Sequence, residues 1–203
     1  MLWRSSPART RRTPPADFVI PAQPTLVTRP PAGDQWVHEV KHDGYRLLAR
    51  KQAGQVTLWS RHATDLTDRF PRIAEAMRSL PVDDVLLDGE AVVLRPDGHS
   101  DFAALRTTRG ADAAQFIAFD LLHLDGEDRR KLPLEIRRAE LEALVDGVDV
   151  MFSEAIEAEG AVVFEKAVEL GLEGIVCKRL GSPYWSGPVR NWVKVKNPDF
   201  RRR

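Results

Sequence analysis

Seven short runs, several rich in Val, Ile, Phe and Trp, recur along this chain between Trp36 and Lys196, and compact turn signals fall between some of them. They are Trp36 to Lys41, Leu47 to Lys51, Val56 to Ser60, Val85 to Leu94, Gln115 to Leu122, Gly174 to Arg179 and Asn191 to Lys196. Such runs read as strands. The turn signals Pro96-Asp97-Gly98 and Asp125-Gly126 suit hairpins better than long crossovers. This pattern predicts an α+β fold with antiparallel sheets. Three segments keep a helical period instead. Phe70, Ile73, Met77 and Leu80 form the first, with Pro71 in its opening turn; Leu134, Leu141, Leu144 and Val145 form the second; Val163, Phe164, Ala167, Val168 and Leu170 form the third, which Gly171 stops. All three are expected to turn an apolar face to the core.

A length of 203 residues suits one domain with tails. Residues 1–17 carry Arg4, Arg9, Arg11 and Arg12 among Pro, Ser and Thr without an apolar period, and are expected to be a mobile basic tail. Residues 18–203 are the folded unit. The 30 basic and 30 acidic side chains balance, so any contact with nucleic acid has to come from a local patch. No apolar run approaches the roughly 20 residues that span a bilayer, and no secretory signal opens the chain. A soluble, cytoplasmic protein is expected. The single cysteine, Cys177, has no partner for a disulfide or a metal site and reads as a small core residue.

The chemistry concentrates in a few segments. In Glu39-Val40-Lys41-His42-Asp43-Gly44-Tyr45-Arg46, strand alternation points Glu39 and Lys41 the same way. Asp43-Gly44 supplies a turn at which backbone can approach a ligand, and Arg46 offers a planar cation suited to phosphate or ribose oxygens. A hairpin turn accounts for Asp-Gly equally well but leaves the lysine unexplained. In Trp192-Val193-Lys194-Val195-Lys196 the two lysines share a face about 7 Å apart, as a phosphate clamp or as charges guarding an exposed edge. Asp88 and Glu90 interrupt an apolar strand, where carboxylates are costly unless paired or metal-bound, and both can face one cleft. In Glu173-Gly174-Ile175-Val176-Cys177-Lys178 the acid and the base fall on opposite faces of a regular strand, and Glu173 is preferred for a site. Phe119 is either core or a platform for a base.

Taken together these segments resemble the ATP-dependent DNA ligases, within the nucleotidyltransferases that also include RNA ligases and mRNA capping enzymes. The resemblance runs from about Phe18 to Lys196 and is strongest to the ligase domain of bacterial end-joining ligases that work with Ku. It rests on Trp36 to Arg46, Ser60-Arg61, Leu87-Asp88-Gly89-Glu90, Phe119 to Gly126, Glu173 to Lys178 and Trp192 to Lys196. It implies two mainly antiparallel sheets flanked by helices, the adenylation-domain (ATP-grasp-like) fold. It also implies that Lys41 takes up AMP from ATP and that Glu39 and Arg46 contact the nucleotide. Phe119 would stack on adenine, Glu90 and Glu173 would serve the ribose and Mg2+, and Lys194 and Lys196 would hold the α-phosphate. Arg61 would sit near the nick phosphate or the nucleotide.

The implied substrate is nicked or broken double-stranded DNA, with Ku or another end-joining partner, and the implied chain is a monomer. Two details depart from the pattern: His62-Ala63 stands where relatives often carry Asn-Gly, and Pro188 stands where an arginine is common, with Arg190 nearby. Seven residues follow Lys196, so no oligonucleotide-binding barrel is expected in this sequence, and self-adenylation is expected to be weaker than in a full ligase. RNA ligation or capping is one rival reading. A non-catalytic module that binds nucleotides or nicks is another.

Overall fold

The structure, a computed structural model, describes residue 15 and residues 17–202. The expected basic tail therefore lies almost wholly outside the described residues. Strands and helices follow the order β1 (Ala22–Leu26), β2 (Trp36–Val40), β3 (Tyr45–Gln52), β4 (Gln55–Ser60), α1 (Pro71–Ser79), β5 (Asp84–Val92), α2 (Phe102–Leu105), α3 (Thr108–Asp112), β6 (Gln115–Leu124), β7 (Glu127–Asp128), α4 (Leu134–Val145), β8 (Met151–Phe152), α5 (Gly160–Glu169), β9 (Gly174–Arg179) and β10 (Gly187–Lys196). They build two sheets. One runs β1-β10-β9-β2; the other runs β4-β3-β5-β6-β7, with β8 also paired to β6. Among the described residues only the β1–β10 and β6–β8 pairings are parallel. The predicted α+β class with two mainly antiparallel sheets holds.

Three apolar clusters give the layers. Val163 and Ala167 of α5 pack on Ile175, Cys177, Val193 and Val195, on the outer face of the four-stranded sheet. Trp192, Val37 and Tyr184 meet Leu48, Trp59, Leu86 and Leu122 between the sheets. Leu47, Ala49, Leu87 and Phe116 pack beneath Ile73 and Met77 of α1. Cys177 is fully buried, as expected, and burial pushes its thiol up to about 12. The helix ends match expectation: Pro71 sits in the first turn of α1. Gly171, at φ +68°, closes α5 while Leu172 N–H donates to Ala167 O and Gly171 N–H to Val168 O.

Some expectations need correction. Asp43-Gly44 does not open a hairpin, because β2 pairs with β9 in one sheet while β3 pairs with β4 and β5 in the other. The dipeptide carries the chain between sheets, and Gly44 is required by close approach to protein backbone: a Cβ there would lie 2.1 Å from Ala91 O. The turn at Pro96-Asp97-Gly98 closes a single bridge, Leu94 to Ser100, and leads into α2 and not into a second strand. Asp125-Gly126 does join β6 to β7, with both residues at positive φ (43° and 87°). Helix α4 is not purely apolar inside, since Arg137 and Arg138 lie on its buried stripe with Leu134 and Leu141.

Strands β1, β7 and β8 and helices α2 and α3 were not among the expected elements. Strand β1 contains Pro24, tolerated here because the strand lies at a sheet edge and its register slips between Pro24 and Thr25. Helices α2 and α3 have 4 and 5 residues, too few to show a period, and rest on side-chain caps from Asp101 and Thr107.

A bulge in β6 shapes the site. Asp88 pairs with Asp120 and the next residue, Gly89, pairs with Ala118, so Phe119 has no partner on β5. The extra residue switches side-chain parity: Phe116 and Ala118 face the helices before it, and Leu121 faces them after it. Phe119 thereby turns toward the space between the sheets, where it packs with the Trp192 cluster.

Candidate active site

Charged side chains from both sheets face one cleft, with Lys41, Glu173, Lys194 and Lys196 on one side and Arg46, Asp88 and Glu90 on the other. On β10, Val193 and Val195 point to α5, so Trp192, Lys194 and Lys196 point inward. This strand lies between β1 and β9 and is not an exposed edge, which removes the guarding role for its lysines. Lys41 follows β2 immediately; its N–H donates to Gly174 O at 3.0 Å. Its Nζ donates to Glu173 Oε2 at 2.6 Å, and Lys196 Nζ lies 3.0 Å from Glu173 Oε1. Burial works against the Glu173 carboxylate, but the two lysines outweigh it and hold its pKa below the usual value. At Lys194, burial and the charges of Lys41 and Lys196 lower the pKa. These four side chains form one electrostatic unit.

Opposite them stands β5. Asp88, fully buried, accepts two hydrogen bonds from Arg46, both 2.6 Å, and one from Tyr184 OH at 2.6 Å. Burial opposes the charge of Arg46, yet Asp88 more than compensates and raises its pKa. The expected acidic pair is thus split in function: Asp88 is consumed in fixing Arg46, and Glu90 is left facing the cleft. Burial drives the Glu90 carboxyl up to about 7, against the pull of Arg46 and Lys41 and with the help of Glu173 and Asp88. Gly89 between them admits no side chain, since a Cβ would lie 2.5 Å from Ile117 O.

Phe119 forms the wall of the cleft between these groups. The Arg46 guanidinium and the Lys178 ammonium each lie 4.6 Å from its ring centroid, and Trp192 meets it edge-on at 6.2 Å. Lys178 also donates to Phe119 O at 3.0 Å and pairs with Glu39 at 2.7 Å. Glu39 is nearly inaccessible; it further accepts from Arg138 and, at 2.9 Å, from Ser153 Oγ.

Two expectations fail here: Lys178 enters the group and Arg61 does not. The carboxylate in contact with Lys41 is Glu173 and not Glu39, which belongs to the Lys178 cluster. Lys178, set aside on strand parity, faces the cleft after all, because Glu173 lies outside β9 and Gly174 turns the chain at φ +142°. The structure does not bring Arg61 into this group. It is exposed beyond β4, and its one hydrogen bond among the described residues is to His62, at 3.0 Å. The turn that carries it is nevertheless formed, with Ala63 held at φ +59°. Arg190 is exposed on β10.

For a metal ion, no group of three or more His, Cys, Asp or Glu side chains gathers among the described residues. Glu90 and Glu173 therefore fit magnesium only in its usual manner, with one or two carboxylates and the remaining positions left to phosphate and water.

A family model described as "ATP dependent DNA ligase domain" matches residues 25–196. The chain belongs to that family. Over 192 residues this ligase domain is 40% identical to the multifunctional non-homologous end joining protein LigD of Pseudomonas aeruginosa, covering 91% of the chain and 23% of the relative. It is 32% identical over 189 residues to the prophage-derived DNA ligase-like protein LigB of Bacillus subtilis, covering 90% and 69%. Among solved structures, the mycobacterial DNA ligase D complexed with ATP and MES superposes with a TM-score of 0.77 at 35% identity, over 88% of this chain and 60% of that one. The ligase domain thus spans less than a quarter of the length of the LigD protein it matches.

Arg138, Ser153 and Tyr184 also support the site of this ligase domain and were not expected from the sequence. A signal existed for Arg138: it lies four residues after Leu134 and three before Leu141, on a stripe that is otherwise apolar. Tyr184 and Ser153 come from loops with no period, and nothing local marks them. No helix among the described residues is long and apolar enough to cross a membrane.

Proposed function

We propose that this domain seals breaks in double-stranded DNA through a covalent lysyl-AMP intermediate on Lys41, using ATP. The observation that carries this reading is the cluster of Lys41, Glu173, Lys196 and Lys194 opposite Arg46 and Phe119, with Lys41 Nζ at 2.6 Å from Glu173. Three cations around one carboxylate make a site that is short of negative charge. A phosphate supplies it.

In the first step the Lys41 amine attacks the α-phosphorus of ATP; an N–P bond forms, the α–β bridging bond breaks and pyrophosphate leaves. An ordinary lysine, with a pKa of about 10.4, is neutral only about once in 2,500 molecules at pH 7, so the ammonium must release its proton to water and give up its contact with Glu173 before the amine attacks. Lys196 sits on the other Glu173 oxygen and can keep that carboxylate paired when Lys41 departs. Lys194 and Lys196 then neutralise the α-phosphate oxygens, Phe119 stacks on the adenine, and Glu39 and Arg46, fixed by Lys178 and Asp88, bound the nucleotide site. Glu90 serves the ribose. Glu90 and Glu173 would hold magnesium, which when bound spreads the developing charge of the phosphoryl group. AMP next passes to the 5′-phosphate of a nick, and the 3′-hydroxyl displaces it. Arg61, exposed at the rim, is assigned to the DNA phosphates. We place this work in bacterial end joining in the cytoplasm, with Ku or a similar protein holding the ends, because the LigD relatives carry end joining in their names.

Mixing the protein with ATP and magnesium and weighing it intact tests the reading. The expected result is one added AMP, absent from Lys41→Ala; an adduct that persists in the variant overturns the assignment. Comparison of nicked DNA with nicked RNA, and of ATP with GTP, separates DNA ligation from RNA ligation and capping.

A further inference from the structure

The mechanism leaves Asp43 unused, although it stands two residues after the proposed nucleophile. Its side chain is buried, 4% exposed, at the point where the chain crosses from one sheet to the other. An ionised carboxylate in that position requires a partner. The partner comes from the far end of the described chain. Arg202 Nε donates to Asp43 Oδ2 at 2.8 Å, and its Nη2 donates to Oδ1. The same guanidinium lies over the Phe102 ring, 4.1 Å from its centroid, and Phe102 stacks on Tyr45 at 5.4 Å. Ser100 Oγ accepts from Asp43 N–H at 3.4 Å.

The route by which Arg202 arrives also matters. After Lys196 the chain turns back: Asn197 N–H donates to Glu173 O at 2.9 Å and its Nδ2 to Leu172 O at 3.0 Å, while Asp199 N–H returns to Asn197 Oδ1 at 2.9 Å. Residues 197–202 are therefore tied at one end to Glu173, the residue that holds the Lys41 ammonium, and at the other to the loop that carries Lys41. Both anchor points of the nucleophile are gripped by one short strap.

We propose that Arg202 is a positioning residue for Lys41, acting through Asp43: the bidentate pair fixes the loop of residues 41–44 against the Glu173 end of β9 and so sets where the amine stands relative to the α-phosphate. This inference rests on the proposed role of Lys41 and adds to it a residue outside the resemblance described above. It also gives the aspartate of the Lys-x-Asp-Gly string a task distinct from touching the nucleotide. A planar fork over an aromatic ring is the geometry that lysine does not reproduce.

The test is single-turnover adduct formation as a function of ATP concentration, with Arg202→Gln, Arg202→Lys, Asp43→Asn and the double variant Arg202→Gln/Asp43→Asn. Expected are a fall of about tenfold or more in the maximal rate for Arg202→Gln at unchanged half-saturating ATP, with the variant still folded at the assay temperature, a smaller fall for Arg202→Lys, and a double variant no slower than the slower single one. An unchanged rate in Arg202→Gln, strictly multiplicative losses in the double variant, or a rise in half-saturating ATP at constant maximal rate each overturn the proposal; the last would mean that Arg202 touches the nucleotide itself. If the unaltered protein forms no adduct, it is the function proposed for Lys41 that fails. The strap is then judged by amide hydrogen exchange. Faster exchange of residues 41–44 in Arg202→Gln supports it, and unchanged exchange overturns it.

Discussion

Glu90 gives the sharpest quantitative test of the cleft. Its carboxyl is carried from an ordinary value near 4.5 up to about 7, chiefly by burial, so the folded protein holds a proton there that the unfolded chain releases. For an acid whose pKa is raised on folding, the stabilising contribution is complete below about 4.5 and is lost as the pH climbs through about 7. A difference of about 2.5 units corresponds to about 3 kcal/mol, or about 2 kcal/mol when solvent access to this half-buried group is allowed for. Replacement by glutamine removes the titration while keeping the shape. Urea denaturation of the unaltered protein and of Glu90→Gln at pH 5, 6, 7 and 8 measures the effect. Stability of the variant relative to the unaltered protein is expected to rise by about 2 to 3 kcal/mol from pH 5 to pH 8. Histidines that titrate in the same window contribute equally to both proteins and cancel. Two parallel stability curves would refute the reasoning and place Glu90 in an ordinary aqueous setting.

Other consequences are open to direct measurement. Removing the ring in Phe119→Ala is expected to raise the ATP concentration for half-maximal adduct formation by about 5-fold to 150-fold, the range of about 1 to 3 kcal/mol for a base stacked on an aromatic; an unchanged value rules out the platform. Arg137 and Asp120, both fully buried, pair through two bonds of 2.7 and 2.8 Å. Arg137→Met is therefore expected to cost about 3 to 5 kcal/mol in denaturant titrations by stranding the carboxylate, and a loss below about 1 kcal/mol would refute it. Ala63 at φ +59° carries the strain of a Cβ in left-handed backbone. Ala63→Gly is expected to raise stability by about 0.5 kcal/mol, the relief outweighing the added freedom of the unfolded chain, and a lower melting temperature would contradict this.

The fold was largely legible because its strands are long enough to show period two and its main helices long enough to show a stripe. What stayed hidden was which strands share a sheet. Asp43-Gly44 has the chemistry of a hairpin turn, yet β2 and β3 belong to different sheets, and only the distant partners β9 and β5 reveal that. The same limit governs the site. Lys41, Glu173, Lys194 and Lys196 stood out because charges interrupt or alternate with apolar residues. Alternation turns Lys178 away from Glu173 only in a regular strand, and Gly174 breaks that regularity. Strand alternation puts Glu39 and Lys41 on one face without saying what each touches, and Lys178 and Arg138, far along the chain, claim Glu39 in space. Asp88 and Glu90 looked alike as strand carboxylates; a single arginine on the neighbouring strand sets them apart.

The bulge at Phe119 bears on how such a domain can change over time. Side chains on either side of an inserted residue keep their facing only while the insertion stays, so β6 tolerates exchange of one residue for another far better than loss of one. Deleting Ile117 or Ala118 would set Phe119 opposite Gly89 and turn the aromatic ring out of the cleft, in one step and without altering any charged group. With the adenine platform proposed for Phe119, loss of nucleotide binding in this architecture does not require decay of its lysines. A search for inactive descendants should count the length of β6 before it inspects the residues around Lys41.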